Sequence, residues 1–490
     1  MMMRPLIEEI TTSATPETLI ERLRGQPGVV LLRSRSFDFP QARYSLVGAR
    51  PFLRFRSLGS RCRITSSEGA HEQFGNPWNA LDTLMARYEL LDEIDLPFPL
   101  GGCFGYWGYD LKNFVEPKLT RNAVNDLELP DCVVGFYSSL AVFDHRLDKT
   151  WIVSTGLNPD GSRNEQTAKR DADFWRVRLH QIEREDALLP LLRERTAKGR
   201  TSRADSSTSA VIRSNLTRQH FIHAIERAQD YIHRGHIYQV NLSHRLSAEY
   251  NGDGWAFFER LSEASPAPFS AFLDCGDFQL ASSSPELFLR LSGRQIVTRP
   301  IKGTRPRSSD SNRDAQLTYE LQTSAKEMAE LVMITDLLRN DLGRVCEFGS
   351  VQVPELVRLE RYAHVQHLVS TVEGRLRGGV THFHAFSSCF PGGSVTGAPK
   401  IRAMEIIDEL EPITRGPYTG ALGYLGFNRE SQLSIIIRAA VLKSGSAHFH
   451  VGAGIVADSV PSAEYDETIA KARGFFAAMN IAENAEVITR

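Results

Sequence analysis

The sequence has no excess of either charge sign. Its 57 Lys and Arg residues stand against 59 Asp and Glu residues, which leaves a net charge of -2. A protein that binds nucleic acid as its main task needs surplus basic residues to contact phosphates, so the balance argues against a nucleic-acid partner. It still allows a local basic patch that receives an anionic metabolite.

Long apolar runs and paired cysteines are also missing. No uncharged apolar stretch approaches the roughly 18 residues of a transmembrane helix, and Glu8 and Glu9 precede any apolar run of signal-peptide length. The 6 cysteines are scattered without a Cys-x-x-Cys pair, which is typical of reduced thiols rather than of disulfides or a zinc site. We therefore expect a soluble protein of the cytoplasm without a membrane partner.

The 490 residues are sufficient for two or three domains, and one shift in composition divides them. Residues 157–212 are polar and end in a run rich in Arg, Ser and Thr, as flexible linkers do. Within them, Phe174, Val177 and Ile182 predict a short helix over about 171–183. We predict an N-terminal lobe at 1–156, a polar linker at 157–212 and a C-terminal lobe at 213–490.

The C-terminal lobe alternates between helical and extended patterns. Apolar residues at helical spacing follow a cap at either Asn215 or Thr217 and continue as far as Gly235, and a longer helical pattern covers about 314–341. Extended segments lie between and after them, and Pro399 stands at the predicted start of another helix. The expected fold class is α+β (mixed α/β), with large sheets covered by helices.

Two pairs of glutamates share a three-residue spacing. Glu327 and Glu330 lie in one predicted helix, and Glu464 and Glu467 lie in another, with Lys471 one turn further on. Residues three apart on a helix are neighbours, and adjacent carboxylates repel unless a cation or a proton lies between them. Facing pairs would provide the oxygen ligands that Mg²⁺ prefers, whereas either pair alone is also typical of a solvated helix surface.

Other segments are compatible with anion binding or with nucleophilic chemistry. FPGGSVTGAPK, residues 390–400, puts backbone amides and the Thr396 hydroxyl before a helix start, either as an anion site or as a tight structural turn. Gly452 and Gly454 would let a ligand approach the backbone closely. Lys302 is either a desolvated amine that acts as a nucleophile or a lysine in a basic surface loop.

Two further patterns predict no site. Cys103 lies in a Gly-x-Cys-x-Gly context, as glutaminase nucleophiles do, but prolines stand where the preceding strand should be and no His-x-Glu follows. The His-x-His pairs at 382–384 and 448–450 fit strand alternation better than a metal site, because no third ligand is near in sequence.

Together these segments resemble the chorismate-utilising enzymes, in particular the large subunits of anthranilate and aminodeoxychorismate synthases. The resemblance is strongest over 215–478, through YQVNLS, SSSPELFLR, RPIKGTRPR, FPGGSVTGAPK, RGPYTGALGY and GAGIVADSVPSAEYDET. It reaches more loosely to LLRS, RYSLVG and GGCFGYWGYDL, and residues 157–212 have no counterpart. It implies two large packed β-sheets with helices outside, and a Mg²⁺-dependent reaction on chorismate.

The resemblance also implies roles for matched positions. Glu330 and Glu467 would be the principal metal ligands, supported by Glu327 and Glu464, and Glu286 would protonate the departing C4 hydroxyl. The chorismate ring and its carboxylates would be held by Gln239, His367, Thr396, Tyr418, Arg438, Gly452, Gly454 and Lys471. Gln239 stands where isochorismate and salicylate synthases carry a lysine that activates water, so the uncharged amide fits an enzyme that uses ammonia.

Lys302 separates the two subfamilies. Anthranilate synthases of this family typically carry Pro-Ile-Ala-Gly-Thr, whereas aminodeoxychorismate synthases carry Pro-Ile-Lys-Gly-Thr, as this chain does. The implied role is covalent: the Lys302 amine attacks C2 of chorismate, and ammonia then displaces it. The expectation is an aminating component in the folate branch that receives ammonia from a separate glutamine amidotransferase subunit.

Tryptophan is a further implied ligand, because several positions match the tryptophan pocket of these families: Ser34, Arg43, Tyr44, Ser45, Pro268 and Phe269. Two other functions stay open at this point. One is an anthranilate synthase large subunit, and the other is a non-catalytic sensor of chorismate or tryptophan. The filled catalytic positions weigh against a sensor.

Overall fold

The computed structural model describes residues 4–34, 42–91, 96–193, 211–362, 365–481 and 487–489, and only the backbone at 184–193. The helices of these ranges are α1 (Pro16–Leu23), α2 (Pro77–Tyr88), α3 (Lys112–Val115), α4 (Glu165–Arg193), α5 (Arg218–His233), α6 (Gly254–Ala264), α7 (Ser311–Gln322), α8 (Ala325–Gly343), α9 (His382–Cys389), α10 (Lys400–Leu410), α11 (Pro461–Lys471) and α12 (Arg473–Ala478). None of these helices has the length and apolar character needed to cross a membrane.

The strands of the same ranges are β1 (Leu6–Ile10), β2 (Val30–Arg33), β3 (Tyr44–Gly48), β4 (Leu53–Leu58), β5 (Arg61–Ser66), β6 (Gly69–Phe74), β7 (Gly102–Trp107), β8 (Cys132–Tyr137), β9 (Ser139–Asp144), β10 (Lys149–Ser154), β11 (Ile212–Ser214), β12 (Gln239–Glu249), β13 (Phe269–Asp274), β14 (Gln279–Ser284), β15 (Leu287–Ser292), β16 (Gln295–Arg299), β17 (Ile301–Pro306), β18 (Gln352–Arg361), β19 (Val365–Arg375), β20 (Gly397–Ala398), β21 (Ala421–Gly426), β22 (Glu430–Ile435), β23 (Ala439–Lys443), β24 (Ser446–Ile455) and β25 (Val487–Thr489).

These strands form two large sheets. The first runs β1-β10-β9-β3-β2-β13-β14-β23-β24-β12-β11-β25, with β20 beside β12. The second runs β17-β19-β16-β15-β22-β21-β7-β8-β4-β5-β6, with β18 beside β19. Apolar side chains from both sheets share one buried cluster, for example Leu46 and Ala271 of the first with Phe104 and Leu433 of the second. The expected α+β fold of two packed sheets is confirmed.

Both sheets contain strands from both predicted lobes. In the first sheet β2 pairs with β13, and in the second β7 pairs with β21, each in antiparallel register. Helices α1, α4 and α6 cover the outer face of the first sheet, where Leu19, Trp175 and Trp255 are buried together. Each sheet is therefore built from strands on both sides of the predicted linker, and the two predicted lobes share both sheets.

The segment predicted as a linker contains a long helix. α4 extends from Glu165 to Arg193, well beyond the predicted 171–183. Its buried stripe consists of Ala172, Trp175, Leu179 and Ile182, whereas Val177 is 53% exposed. Of the predicted stripe, Ile182 is buried and Phe174 is partly buried against the same cluster, whereas Val177 lies off the face that packs on the sheet. The polar run at 194–210 lies outside the described residues.

Two predictions of secondary structure need correction, and two others are confirmed. The helix expected over 314–341 is two helices, because the Ser324 side chain accepts the Glu327 N–H and starts α8 anew. His382 lies in α9 rather than in a strand, where its ring bonds Ser431 Oγ and the Gly293 carbonyl. α5 begins after Thr217, one of the two predicted caps, and His448 and His450 alternate along β24 as predicted.

Candidate active site

A cavity of about 540 Å³ opens where β17, β24, α8 and α11 meet. Most of the predicted site residues line it, although they come from distant parts of the chain. They are Glu286, Lys302, Glu327, Glu330, His367, Tyr418, Arg438, Gly452, Gly454, Glu464, Glu467 and Lys471.

Two predicted substrate-binding residues, Gln239 and Thr396, do not line this cavity. Thr396 is fully buried, and its hydroxyl donates to the Gly392 carbonyl at 3.1 Å, which is a bond within its own turn. Gln239 is also fully buried and lies directly behind Gly454, where an added Cβ would be 2.5 Å from Gln239 Nε2. Neither polar atom of the Gln239 amide has a hydrogen-bond partner among the described residues.

The two glutamate pairs meet in space. α8 presents one pair and α11 the other, and each carboxylate has a cation beside it. The ion pairs are Glu330 Oε2 to Lys302 Nζ at 3.9 Å, Glu327 Oε1 to Arg305 Nη1 at 3.4 Å, Glu464 Oε1 to Lys326 Nζ at 3.7 Å and Glu467 Oε1 to Lys471 Nζ at 2.8 Å. The acidic residues of the two helices are thus charge-balanced within one cavity.

The carboxylates of the two helices lie close enough to affect one another's pKa. Burial raises the pKa of Glu330, and repulsion by Glu327 and Glu464 adds to this effect, while Lys302 opposes it. Burial acts on Glu467 in the same direction, but the neighbouring Lys471 brings the pKa of Glu467 below its ordinary value. Carboxylates that repel each other across a cavity can share a cation.

The four glutamates of α8 and α11 are the candidate ligands for a metal ion in this cavity. Its oxygen ligands are carboxylates, which suit Mg²⁺ rather than a softer metal that prefers thiolates or imidazoles. Among the described residues, no three side chains of the types Asp, Glu, His and Cys converge tightly enough to form a metal centre as they stand. The type of donor atom fits Mg²⁺, whereas the present spacing of the described side chains does not yet form a site.

Glu286 lies at the turn between β14 and β15, and its side chain is 6% exposed. Burial raises the pKa of its carboxyl to about 7, although a hydrogen bond with Ser394 and the charge of Lys302 act in the opposite direction. A carboxyl with a pKa near neutrality can give up a proton as a general acid.

His367 is a neutral imidazole at the cavity wall. Its Nδ1 lies 2.8 Å from Thr304 Oγ1, and its Nε2 has no partner among the described residues. Burial, with a further effect of Arg438, lowers the pKa of His367 to about 4. This unpartnered nitrogen is shielded from solvent in the present arrangement.

Two residues missed by the sequence analysis also belong to the cavity wall. Ser394 lines the cavity with Glu286 and acts to lower the pKa of that carboxyl, and Arg415 is buried beside Tyr418. Both lie in motifs already singled out, at 390–400 and in RGPYTGALGY. The two motifs did not show which of their residues face the cavity. That depends on how the turn at 390–400 packs against the turn that contains Arg415.

The positions matched to a tryptophan pocket are only partly together. Ser34, Tyr44 and Phe269 line a second cavity of about 40 Å³, whereas Arg43, Ser45 and Pro268 do not. Arg43 instead pairs with Asp144. The cavity volume is that of a few water molecules rather than of an indole ring. Residues 35–41 lie outside the described ranges. Tryptophan binding stays a prediction.

Cys103 is no nucleophile in this structure. It is the second residue of β7, paired on both sides by β8 and β21, and its side chain is fully buried. Burial raises the pKa of its thiol well above the ordinary value. The prediction that Cys103 does not form a glutaminase elbow is confirmed.

Comparison with known proteins places the chain in a family. The family model described as "chorismate binding enzyme" matches residues 42–477. The protein belongs to the chorismate binding enzymes. It is 40% identical over 474 residues to anthranilate synthase component 1 of Thermus thermophilus, with 96% of each chain covered. It is 38% identical over 457 residues to aminodeoxychorismate synthase component 1 of Escherichia coli, with 93% of this chain and 94% of that one covered.

The fold agrees with this assignment. Anthranilate synthase component I from Streptococcus pneumoniae superposes with a TM-score of 0.73 at 29% identity, over 96% of this chain and 99% of that one. The relatives of this chorismate binding enzyme carry two different names, so similarity alone identifies the family and not the product.

Proposed function

We propose that the protein is the aminating component of an aminodeoxychorismate synthase, which converts chorismate and ammonia to 4-amino-4-deoxychorismate. The observation that supports this most strongly is the position of Lys302. Its amine lines the same cavity as Glu286 and lies 3.9 Å from Glu330, with 14% of its side chain exposed. A lysine at this place is available for covalent chemistry on a bound substrate.

The proposed reaction has two displacements. Lys302 first gives its ammonium proton to solvent. Its amine then bonds to C2 of chorismate, the ring double bonds shift, and the C4 hydroxyl leaves as water with a proton from Glu286. Ammonia then bonds to C4, the double bonds shift back, and the C2–Nζ bond breaks as the lysine recovers its electron pair and a proton returns to Glu286. The sum is chorismate plus ammonia giving aminodeoxychorismate plus water, without loss of pyruvate.

Mg²⁺ belongs to the proposal, held by Glu330 and Glu467 with support from Glu327 and Glu464. When bound, the ion would neutralise a carboxylate of the substrate. Arg438 and Lys471 supply fixed positive charge at the same cavity, which His367 also lines. These residues orient the ring so that C2 faces Lys302.

Ammonia is proposed to come from a separate glutamine amidotransferase subunit. The chain's own thiols give no sign of glutaminase chemistry: all are free, and of the 6 only Cys275 is not fully buried. Aminodeoxychorismate made in this way would serve p-aminobenzoate and folate synthesis in the cytoplasm.

An anthranilate synthase is the second candidate, and one observation favours it. The relative from Thermus thermophilus, at 40% identity, carries that name. The lysine in the cavity favours amination without pyruvate loss instead. A sensor without activity is the least supported reading, since nucleophile, acid and carboxylates all line one cavity.

The covalent route is tested by trapping. In chorismate and Mg²⁺ without ammonia, the peptide that contains Lys302 should gain the mass of chorismate less one water. Lys302→Ala should lose both the adduct and nearly all turnover, whereas Lys149→Ala, an exposed lysine paired with Glu9, should keep both. Unchanged turnover in Lys302→Ala would remove the covalent role.

A further inference from the structure

Two arginines, Arg415 and Arg438, line the cavity, and they differ in how their N–H groups are used. Arg415 has a side chain that is 2% exposed. A guanidinium carries five N–H donors, and each of those of Arg415 has an acceptor within the protein. They donate to Glu411 Oε2 (Nε, 2.8 Å), Glu411 Oε1 (Nη2, 2.6 Å), the Asn241 carbonyl (Nη2, 2.6 Å), the Val395 carbonyl (Nη1, 3.2 Å) and Thr419 Oγ1 (Nη1, 3.2 Å).

Arg438 is the opposite case. Among the described residues, its side chain makes one recorded hydrogen bond, from Nη1 to Ser265 Oγ at 3.5 Å. Burial lowers the pKa of its guanidinium, because no carboxylate lies beside it to compensate. Arg438 therefore has donors to give to an anionic ligand, and Arg415 has none.

The acceptors of Arg415 belong to three separate segments of the cavity wall. Val395 lies in the turn that carries Ser394, the partner of Glu286. Asn241 lies on β12, and Thr419 follows Tyr418 at a positive φ of 59°. The Arg415 guanidinium also lies 5.9 Å from the Tyr418 ring, whose hydroxyl would be 3.0 Å from a Cβ on Gly452.

The N-terminal region contributes to the same arrangement. The guanidinium carbon of Arg415 lies 4.7 Å from the centre of the Tyr109 ring, and Asp110 accepts the Gly416 N–H at 2.9 Å. Burial by itself would lower the pKa of the Arg415 guanidinium. The charge and hydrogen bonds of Glu411 together outweigh burial, so the pKa is raised. Arg415 thus stays charged and fixed.

We propose that Arg415 is a positioning residue for the reaction at this cavity. It does not contact chorismate; it holds Tyr418 and the Ser394 turn in the places where they meet substrate and Glu286. The inference rests on chorismate turnover at this cavity, which is part of the proposed function, and does not depend on which product forms.

The test separates binding from turnover. Arg415→Lys keeps the charge beside Glu411 but cannot reach all the other acceptors. Misplacement of groups near the reacting atoms costs on the order of 10²-fold in rate, so kcat for chorismate consumption should fall by about 100-fold. Chorismate affinity, measured by calorimetry with Mg²⁺ and without ammonia, should stay near that of the unaltered protein.

Two arginine variants serve as comparisons. Arg438→Lys should weaken chorismate binding, since it removes donors that are open to the ligand. Arg294→Lys, which removes bonds to Glu347 and the Leu376 carbonyl far from the cavity, should change neither quantity. Weaker binding with unchanged kcat in Arg415→Lys would overturn the proposal, and so would no change in either.

A milder variant covers the case in which Arg415→Lys does not fold. Thr419→Val removes one acceptor and leaves the charged pair intact, and it should lower kcat while chorismate affinity is kept. Tyr418→Phe completes a double-mutant cycle with Thr419→Val or Arg415→Lys, in which the kcat effects should be less than multiplicative. Multiplicative effects would overturn action through Tyr418. Formation of anthranilate would refute the proposed product and leave these comparisons valid.

Discussion

Lys302 Nζ lies 3.9 Å from Glu330 Oε2, and both side chains are mostly buried, at 14% and 13% exposure. The two residues come from β17 and from α8, on separate elements of the fold. This contact brings the proposed nucleophile to the proposed metal ligands in one cavity. Substrate chemistry and metal binding are therefore expected to respond to mutations on both elements.

Metal binding should depend on α8 and α11 together. Glu330→Gln and Glu467→Gln each remove one charged oxygen donor, and each should weaken Mg²⁺ binding by at least the roughly 10–100-fold that loss of an outer partner costs at metal sites. Calorimetric titration with Mg²⁺ measures this directly. Glu72→Gln, in an exposed pair with Arg61 on an edge strand, is the control. Equal affinity in all variants would refute the metal assignment.

Activity should fall as pH rises through about 7 if Glu286 is the acid. Its raised pKa of about 7 means that the carboxyl is protonated below that pH and loses its proton above it. Glu286→Gln should reduce kcat by about 10²–10⁴-fold, the range for loss of a general acid. A pH profile of kcat under saturating ammonia checks this, and a flat profile from pH 6 to 9 would contradict it.

Ser394→Ala gives a second test on the same group. The Ser394 hydrogen bond lowers the pKa of Glu286, so its removal should raise that pKa and move the falling limb of the profile to higher pH. The measurement is the pH profile of kcat for the variant beside that of the unaltered protein. A limb that stays in place, or moves to lower pH, would show that Ser394 does not act on the acid.

Gly454 should not tolerate a side chain. A Cβ there would lie 2.5 Å from Gln239 Nε2 and 3.1 Å from Asn241 Oδ1, so the buried Gln239 side chain would have to shift. Gly454→Ala should cost about 1–3 kcal/mol in the free energy of unfolding, as overpacking does, and should impair chorismate binding. Gly378→Ala, with nothing within 4 Å, is the matched control in chemical denaturation. A second change, Gln239→Ala, should recover part of the lost stability; no recovery would exclude this clash as the cause.

The isolated chain should use ammonium and not glutamine. Cys103 is enclosed in β7, so Cys103→Ala should leave ammonium-dependent turnover intact. Turnover assays with either nitrogen source measure this. Glutamine-dependent activity that disappears with Cys103→Ala would show that the chain has a glutaminase site of its own.

The sequence allowed part of this site to be predicted, and tertiary structure supplied the rest. The three-residue spacing showed that Glu327 and Glu330 are neighbours, because that geometry is local to a helix. It could not show that Glu464 and Glu467 lie opposite, since that depends on how α8 and α11 pack around the sheets. The break between α7 and α8 was also missed. The apolar pattern continues across Ser324, so the sequence did not show that this serine starts a new helix.

The other differences between prediction and structure come from contacts between residues that are far apart in the sequence. Arg43 pairs with Asp144 across 101 residues of sequence, and this contact removes it from the predicted tryptophan pocket. Trp175 and Leu179 make α4 a packed helix within a segment whose average composition is that of a linker. The sequence does not indicate a positioning role for Arg415, because its acceptors lie on segments that are far apart in the chain.

The product formed from chorismate tests the central claim most directly. The protein is incubated with chorismate, ammonium and Mg²⁺, and the products are separated and identified, with pyruvate assayed in parallel. The proposed function predicts 4-amino-4-deoxychorismate and no pyruvate. Anthranilate with an equal amount of pyruvate would contradict it.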